Sequence, residues 1–379
     1  MSASARLPRA LHPGAWWLWA LGMATAASRT TNPVLLVLIG AVVAQVVVAR
    51  RTDAPWALGF KMYVYLGLVV IAIRVLFRML LDGQFGAHTL FTLPEVPLPA
   101  AAAGIRIGGP VSLEGLLAAF YDGLRLATLL LCVGAANVLA NPKRLLKAMP
   151  AALHEIGVAI TVALTVAPQL IESGQRVRRA RRLRGEERRR FHVFREIAIP
   201  VMTDALDRSL LLAAAMDSRG YGRVASVPAR TRAVAGTLLL GGLFGICVGT
   251  YGLLDSTVPR YLGLPLLLGG AAVGWVGVVL SGRRVPRSRY RPDPWARAEW
   301  SVAGVGLFVA TVVVAIGAID PTALVPALQP LRWPGAGLAP MLAILVGVLP
   351  AWLAPPAQSR STRRRSIEPP ARALAEVAR

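Results

Sequence analysis

The chain has 379 residues, 55% of them hydrophobic and only 16% charged, and its mean hydropathy is +0.56. Soluble globular chains carry about 25% charge. Recurrent apolar runs of roughly 17–25 residues, each long enough to cross about 30 Å of hydrocarbon as a helix, exclude burial in a single soluble core at this length.

The periodicity predicts an all-α, polytopic helical membrane protein with about eight spans, at 15–28, 33–49, 57–78, 115–139, 233–254, 261–281, 301–319 and 338–354. The first run follows Arg6 and Arg9 and could imitate a signal peptide. A second apolar run follows almost at once and no small-residue cleavage site precedes it, so the first is read as a retained helix. It is short and carries Trp16, Trp17 and Trp19, a residue type that favours the membrane interface.

The net charge of +23, from 42 Lys+Arg against 19 Asp+Glu, reports orientation. With the N-terminus inside, every basic cluster falls on the inner side: Arg6 and Arg9, Arg50 and Arg51, the 140–232 insertion, Arg283 to Arg297, and a tail with Arg360 and Arg363 to Arg365. The outer loops then hold one basic residue each: Arg29, Arg106, Arg260 and Arg332. Basic residues collect on the cytoplasmic side, so both termini are expected in the cytoplasm of a cell-membrane protein. The segmentation is an N-terminal membrane domain over 1–139, a cytoplasmic helical coupling region over 140–232, C-terminal membrane helices over 233–354, and a basic tail over 355–379.

The loop at 82–112 is Pro/Gly-rich and nearly uncharged, and Pro94, Pro97 and Pro99 argue against a regular helix there. Arg74, Arg78, Asp122 and Arg125 fall in or near spans, where each needs a partner or a route to the interface. Arg78 with Asp82, and Asp122 with Arg125, could pair along one helix face. Snorkelling to the outer interface is the favoured reading; a polar site facing another subunit is the alternative.

The 140–232 insertion is the informative region. Residues 151–171 are apolar enough to span, but basic clusters flank both ends, and a helix in the interface or beneath the membrane fits better, a span with a re-entrant return being the alternative. A short pattern then recurs. Ala180-Arg181-Arg182-Leu183-Arg184-Gly185 and Ala215-Met216-Asp217-Ser218-Arg219-Gly220 share A-x-x-x-R-G, each closing a helical pattern after a proline, Pro168 or Pro200. Ala four residues before Arg lies on the same face. Gly after it terminates a helix by accepting positive φ. Arg in the last turn suits the negative helix end, and its fork binds carboxylates and carbonyls in fixed geometry. Asp204 and Arg208 are ordered for an i,i+4 pair, and Leu206, Leu210, Ala213 and Ala214 form an apolar stripe.

Cys132 and Cys247 and the scattered His12, His88, His154 and His192 suggest no disulfide framework or metal site. No G-x-x-x-x-G-K-[ST] occurs, so the chain supplies no P-loop of its own. Neither G-x-S-x-G nor H-E-x-x-H is present, and an enzyme or self-powered pump is disfavoured.

The insertion resembles the coupling region of the transmembrane T component (CbiQ-like) of energy-coupling-factor transporters, whose signature is two Ala-Arg-Gly-type motifs ending coupling helices. Ala215 to Gly222 resembles A-M-E-A-R-G-Y-G, with Ser218 as a departure; Leu183 departs likewise in the looser first copy. Ala167 to Glu172 and Leu11-His12-Pro13 add weaker likenesses. The resemblance implies that Ala180, Leu183, Arg184, Gly185, Ala215, Ser218, Arg219 and Gly220 contact two ABC ATPase subunits, or one fused ATPase, which bind the ATP. It also implies a small substrate-binding membrane subunit that takes up a vitamin or a transition-metal ion. The chain itself would need no cofactor. Two other classes stay open: a permease that binds its solute directly, and a membrane scaffold using the basic insertion to bind lipid or nucleic acid.

Overall fold

A computed structural model describes residues 11–51, 59–81, 86, 88–96, 107–148, 153–184, 190–220, 228–254, 260–282 and 295–355. Helices dominate: α1 (Pro13–Ser28), α2 (Pro33–Arg50), α3 (Phe60–Leu81), α4 (Leu113–Leu139), α5 (Pro142–Lys147), α6 (His154–Leu183), α7 (Arg190–Ser218), α8 (Ala229–Leu254), α9 (Arg260–Gly282), α10 (Arg297–Ile319), α11 (Leu338–Val346) and α12 (Pro350–Leu353). Seven described helices are long and apolar enough to cross a membrane. Six of them coincide with expected spans, from α2, α3 and α4 through α8, α9 and α10. The other two expected spans are shorter. Helix α1 has 16 residues, and Leu338–Leu353 breaks at Gly347 into α11 and α12. The seventh helix is Ile156–Ala180 within α6, the stretch that sequence placed beneath the membrane; length and composition admit it as a span.

Among the described residues the strand structure lies where helix was excluded. Thr89–Val96 (β1) pairs antiparallel with Ile107–Ser112 (β2), Leu93 opposite Gly109. The register slips between Leu93 and Val96, at Pro94, which has no N–H to give to the ladder.

The described chain forms two compact units. One combines residues 1–145 with 293–379, the other holds 146–292. Helices α10 to α12 pack with the N-terminal helices in the first unit. In the first unit α1 lies against α4 and α10, and α2 against α4 and α11. Trp19, Met23, Leu35, Ile39, Val43, Val302 and Ile344 fill the core between them. The closest approach is at Gly22 of α1 and Gly306 of α10, where a Cβ on Gly22 would collide with the Gly306 carbonyl and one on Gly306 with the Trp19 backbone.

Polar ties fasten the same pairing. Trp19 Nε1 donates to the Gly347 carbonyl at 3.1 Å, Thr30 Oγ1 to the Leu324 carbonyl at 2.6 Å, and Asn32 Nδ2 to the Gly335 carbonyl at 2.8 Å. Arg50 donates from Nε (2.9 Å) and Nη2 (2.6 Å) to the Ala351 carbonyl, satisfying a helix-end acceptor. At the other end of α1, the His12 ring accepts from the Gly14 N–H at 3.1 Å, and its backbone N–H reaches Glu299 Oε1 at 3.4 Å. The buried Glu299 also caps α10 by accepting from the Ala296 N–H at 2.9 Å. Arg144 Nη1 donates to the Leu11 carbonyl at 3.0 Å, so the Leu11-His12-Pro13 start is a junction of three segments. The tryptophans of α1 are thus core residues: Trp16 is 5% exposed and Trp19 fully buried.

In the second unit α8 and α9 form a hairpin with the same device, Gly242 and Gly245 lying on Gly270 and Gly274. Lipid offers no hydrophobic drive between helices, so small residues that let backbones touch supply the association.

Replacing Gly22 or Gly306 by Val should destabilise the first unit by about 1–3 kcal/mol, the usual overpacking range. Gly304→Ala, with open space beyond its Cα, should not lower stability. Heating a Cys247→Ser background with a thiol-reactive dye, which reads exposure of the fully buried Cys132, checks both.

Candidate functional site: two arginine-tipped helices

Helices α6 and α7 run through the prolines that sequence took as their starting points. Pro168 and Pro200 both sit inside helix, removing the hydrogen bonds to the carbonyls of Leu164 and Glu196. A proline four or more residues into a long helix weakens one rung without ending the helix when packing holds both sides.

Beyond the prolines the helices meet on a polar face. Gln169, Ser173 and Arg176 of α6 are spaced i, i+4, i+7; Asp204 and Arg208 of α7 are spaced i, i+4. Ser173 Oγ donates to Asp204 Oδ2 at 2.7 Å, Arg208 Nε to Asp204 Oδ1 at 3.0 Å, and Arg208 Nη1 to Gln169 Oε1 at 3.3 Å. Arg176 Nη2 stands 3.6 Å from Asp204 Oδ2. The expected Asp204–Arg208 pair is therefore present and belongs to a larger interhelical cluster. The hydrogen bonds from Ser173 and then Arg208 hold the Asp204 carboxyl below the usual carboxylate range. What it contributes is complete at neutral pH and is lost only as pH falls through that lowered value.

The tips follow. Helix α6 ends at Leu183, and the Arg184 N–H bonds the Ala180 carbonyl at 3.3 Å. Leu183 is 90% exposed and Arg184 is exposed; Gly185 lies outside the described residues. Helix α7 ends at Ser218 with a tightened turn, Arg219 N–H to the Met216 carbonyl at 3.2 Å and Gly220 N–H to the Asp217 carbonyl at 2.8 Å. Gly220 has φ of +73°, the left-handed conformation expected of a terminating glycine. Ala215, Ser218 and Arg219 are exposed beside it, with Ser218 Oγ returned to the Ala215 carbonyl at 3.0 Å. Each tip leaves its guanidinium on an open surface. The apolar stripe of α7 is also uncovered, Leu206 at 60% and Leu210 at 69% exposure.

The residues weighed as intramembrane pairs lie on α3, α4 and the segment after α3. Arg78 of α3 interacts electrostatically with Asp122 of α4, across helices rather than along one. No ion pair joins Asp122 to Arg125 among the described residues, and Asp82 lies outside them. The Arg78 guanidinium also packs over Gly115. Beside it is a cluster the sequence reading missed: Glu114, buried at the start of α4, accepts from the His88 N–H (3.2 Å) and faces His88 Nδ1 at 2.6 Å. Ser173, Gln169 and Arg176 were missed too, although their spacing marks one helix face.

Helices of spanning length, closed on each other by glycine contacts and interrupted by two arginine-tipped helices, define a multi-pass helical membrane protein. The chain belongs to the CbiQ family, described as cobalt transport protein, whose family model matches residues 4–228. The match ends just before α8, so it covers α1 to α7 and both tips. The chain is thus a component of a membrane transporter. No curated protein matches it.

Gly220→Ala should strain the turn by about 1 kcal/mol, speeding exchange of the Arg219 and Gly220 amides about fivefold in hydrogen–deuterium exchange. Gly220→Asn should speed it less, since Asn tolerates the left-handed region.

Proposed function

We propose that this chain is the transmembrane coupling subunit of an energy-coupling-factor importer. Two ABC ATPase subunits, or one fused ATPase, bind the ATP and receive the Arg184 and Arg219 tips. Their closure moves α6 and α7, and a small membrane subunit that carries the solute reorients in response. The observation that carries this reading is the pair of exposed guanidiniums, one at the C-terminal end of each of two helices that pack antiparallel, each a stiff bidentate contact for carboxylates or carbonyls. The cobalt transport family supports a transition-metal ion as cargo, with a vitamin as the other class that such a carrier subunit would select.

The remaining elements are consistent with that role. The uncovered apolar stripe of α7 offers contact to the carrier subunit or to lipid. Basic residues at both flanks, Lys143, Arg144 and Lys147 before α6 and Arg176, Arg178 and Arg179 at its end, favour keeping that helix on the cytoplasmic side. By the same rule both termini lie in the cytoplasm of a cell-membrane protein. Nucleotide and solute are held by the partners, so this chain acts as transmission and not as enzyme or binding protein.

Arg184→Ala and Arg219→Ala should each weaken association with the ATPases by roughly 30-fold or more, the scale for truncating one member of a buried charge pair. Both should leave thermal stability within about 0.5 kcal/mol, since the side chains are exposed. Uptake by the complex in proteoliposomes, with copurification of the ATPases, checks this. Normal uptake in the double variant overturns the assignment.

A further inference from the structure

We propose that Asp204 is the positioning residue that locks the two arginine-tipped helices into a single lever, so that both tips transmit one motion. This rests on the coupling role above and adds a device to it. The described contact between α6 and α7 is loose at Gly174. Where the helices meet, the Cβ position of Gly174 reaches the Val201 side chain only at 4.0 Å. No glycine-on-glycine approach like those of α1–α10 or α8–α9 joins them among the described residues. Among the described residues, the side-chain hydrogen bonds between them centre on one carboxylate. Asp204 takes the hydroxyl of Ser173, which is 4% exposed, and the Arg208 Nε, with Arg176 3.6 Å away. Arg208 reaches back to Gln169 and closes the set.

The placement matters as much as the contacts. Pro168 precedes Ser173 by five residues and Pro200 precedes Asp204 by four. Each helix therefore has its weakened rung on one side of the pin and its arginine tip on the other. Ser173 lies eleven residues before Arg184 and Asp204 fifteen before Arg219, arms of about 16 and 22 Å at 1.5 Å per residue. A push at either tip bends both helices at their prolines together as long as the pin holds. Without the carboxylate, Arg176 and Arg208 face each other with no anion between them, and the arms separate.

Two measurements test this. The first places spin labels at Arg179→Cys and Leu211→Cys, exposed positions that each lie beyond the pin on their own helix and so on opposite sides of it, in a Cys247→Ser background. Double electron–electron resonance should give one narrow distance for the parent. Asp204→Ala and the isosteric Asp204→Asn should broaden it, and the exchange Ser173→Asp/Asp204→Ser, which moves the carboxylate to the other helix, should narrow it again. The second measures solute imported per ATP hydrolysed in proteoliposomes holding the full complex. Asp204→Asn should lower that ratio by roughly two- to thirtyfold at unchanged ATPase binding, and the exchange should restore it. A narrow distance in both Asp204 variants overturns the pin. Broadened distances with an unchanged import ratio overturn its role in coupling. If the parent complex shows no ATP-driven import at all, the coupling-subunit reading fails, while the distances still decide whether Asp204 joins the helices.

Discussion

In a hydrocarbon solvent, apolar side chains gain nothing by leaving lipid for one another, so the fold depends on places where two backbones can touch. Gly22 against Gly306 is that place in the first unit, and Gly242 and Gly245 against Gly270 and Gly274 in the second. At each, the absence of a side chain permits dispersion contacts that a single added Cβ would abolish. Helix-end ties such as Arg50 to the Ala351 carbonyl and Trp19 to the Gly347 carbonyl then satisfy groups that lipid cannot.

This explains why α10 to α12 belong with the first helices although nearly 150 residues of the second unit intervene in sequence. The buried Glu299 caps α10 and also receives the His12 N–H at the start of α1. The two N-termini therefore share one carboxylate, which complements the positive end of each helix dipole. Of the segment beyond the family match, α8 and α9 belong to the second unit, whereas α10 to α12 are part of the first unit's core and not an appendage to it.

The helices that carry the arginine tips are built on a different principle. Their shared face is polar and partly open, held by charge-assisted hydrogen bonds whose strength falls off sharply with misalignment. A packed glycine crossing resists any change of angle. A polar pin beside two proline-weakened rungs fixes the relation of the arms while leaving each helix able to bend. Rigidity within the membrane-type helices and compliance in α6 and α7 are what the proposed coupling role requires.

Sequence alone determined the helical membrane class, six of the spans, the turn-ending glycine at Gly220 and the Asp204–Arg208 pair, because each rests on local periodicity, local dihedral preference or spacing along one helix. It also marked the Pro-rich 82–112 segment as non-helical, though not that Thr89–Val96 and Ile107–Ser112 would pair as strands. Tertiary structure decided the rest. Trp16 and Trp19 of α1 read as interface residues until α4 and α10 packed over that helix. Spacing offers Arg78 only neighbours from its own segment, and the packing of α3 on α4 sets it against Asp122 as well. Ser173 read as an unremarkable helix position until α7 delivered a carboxylate to it. In each case the partner comes from another helix, and no spacing along one chain segment encodes which surfaces two helices will share.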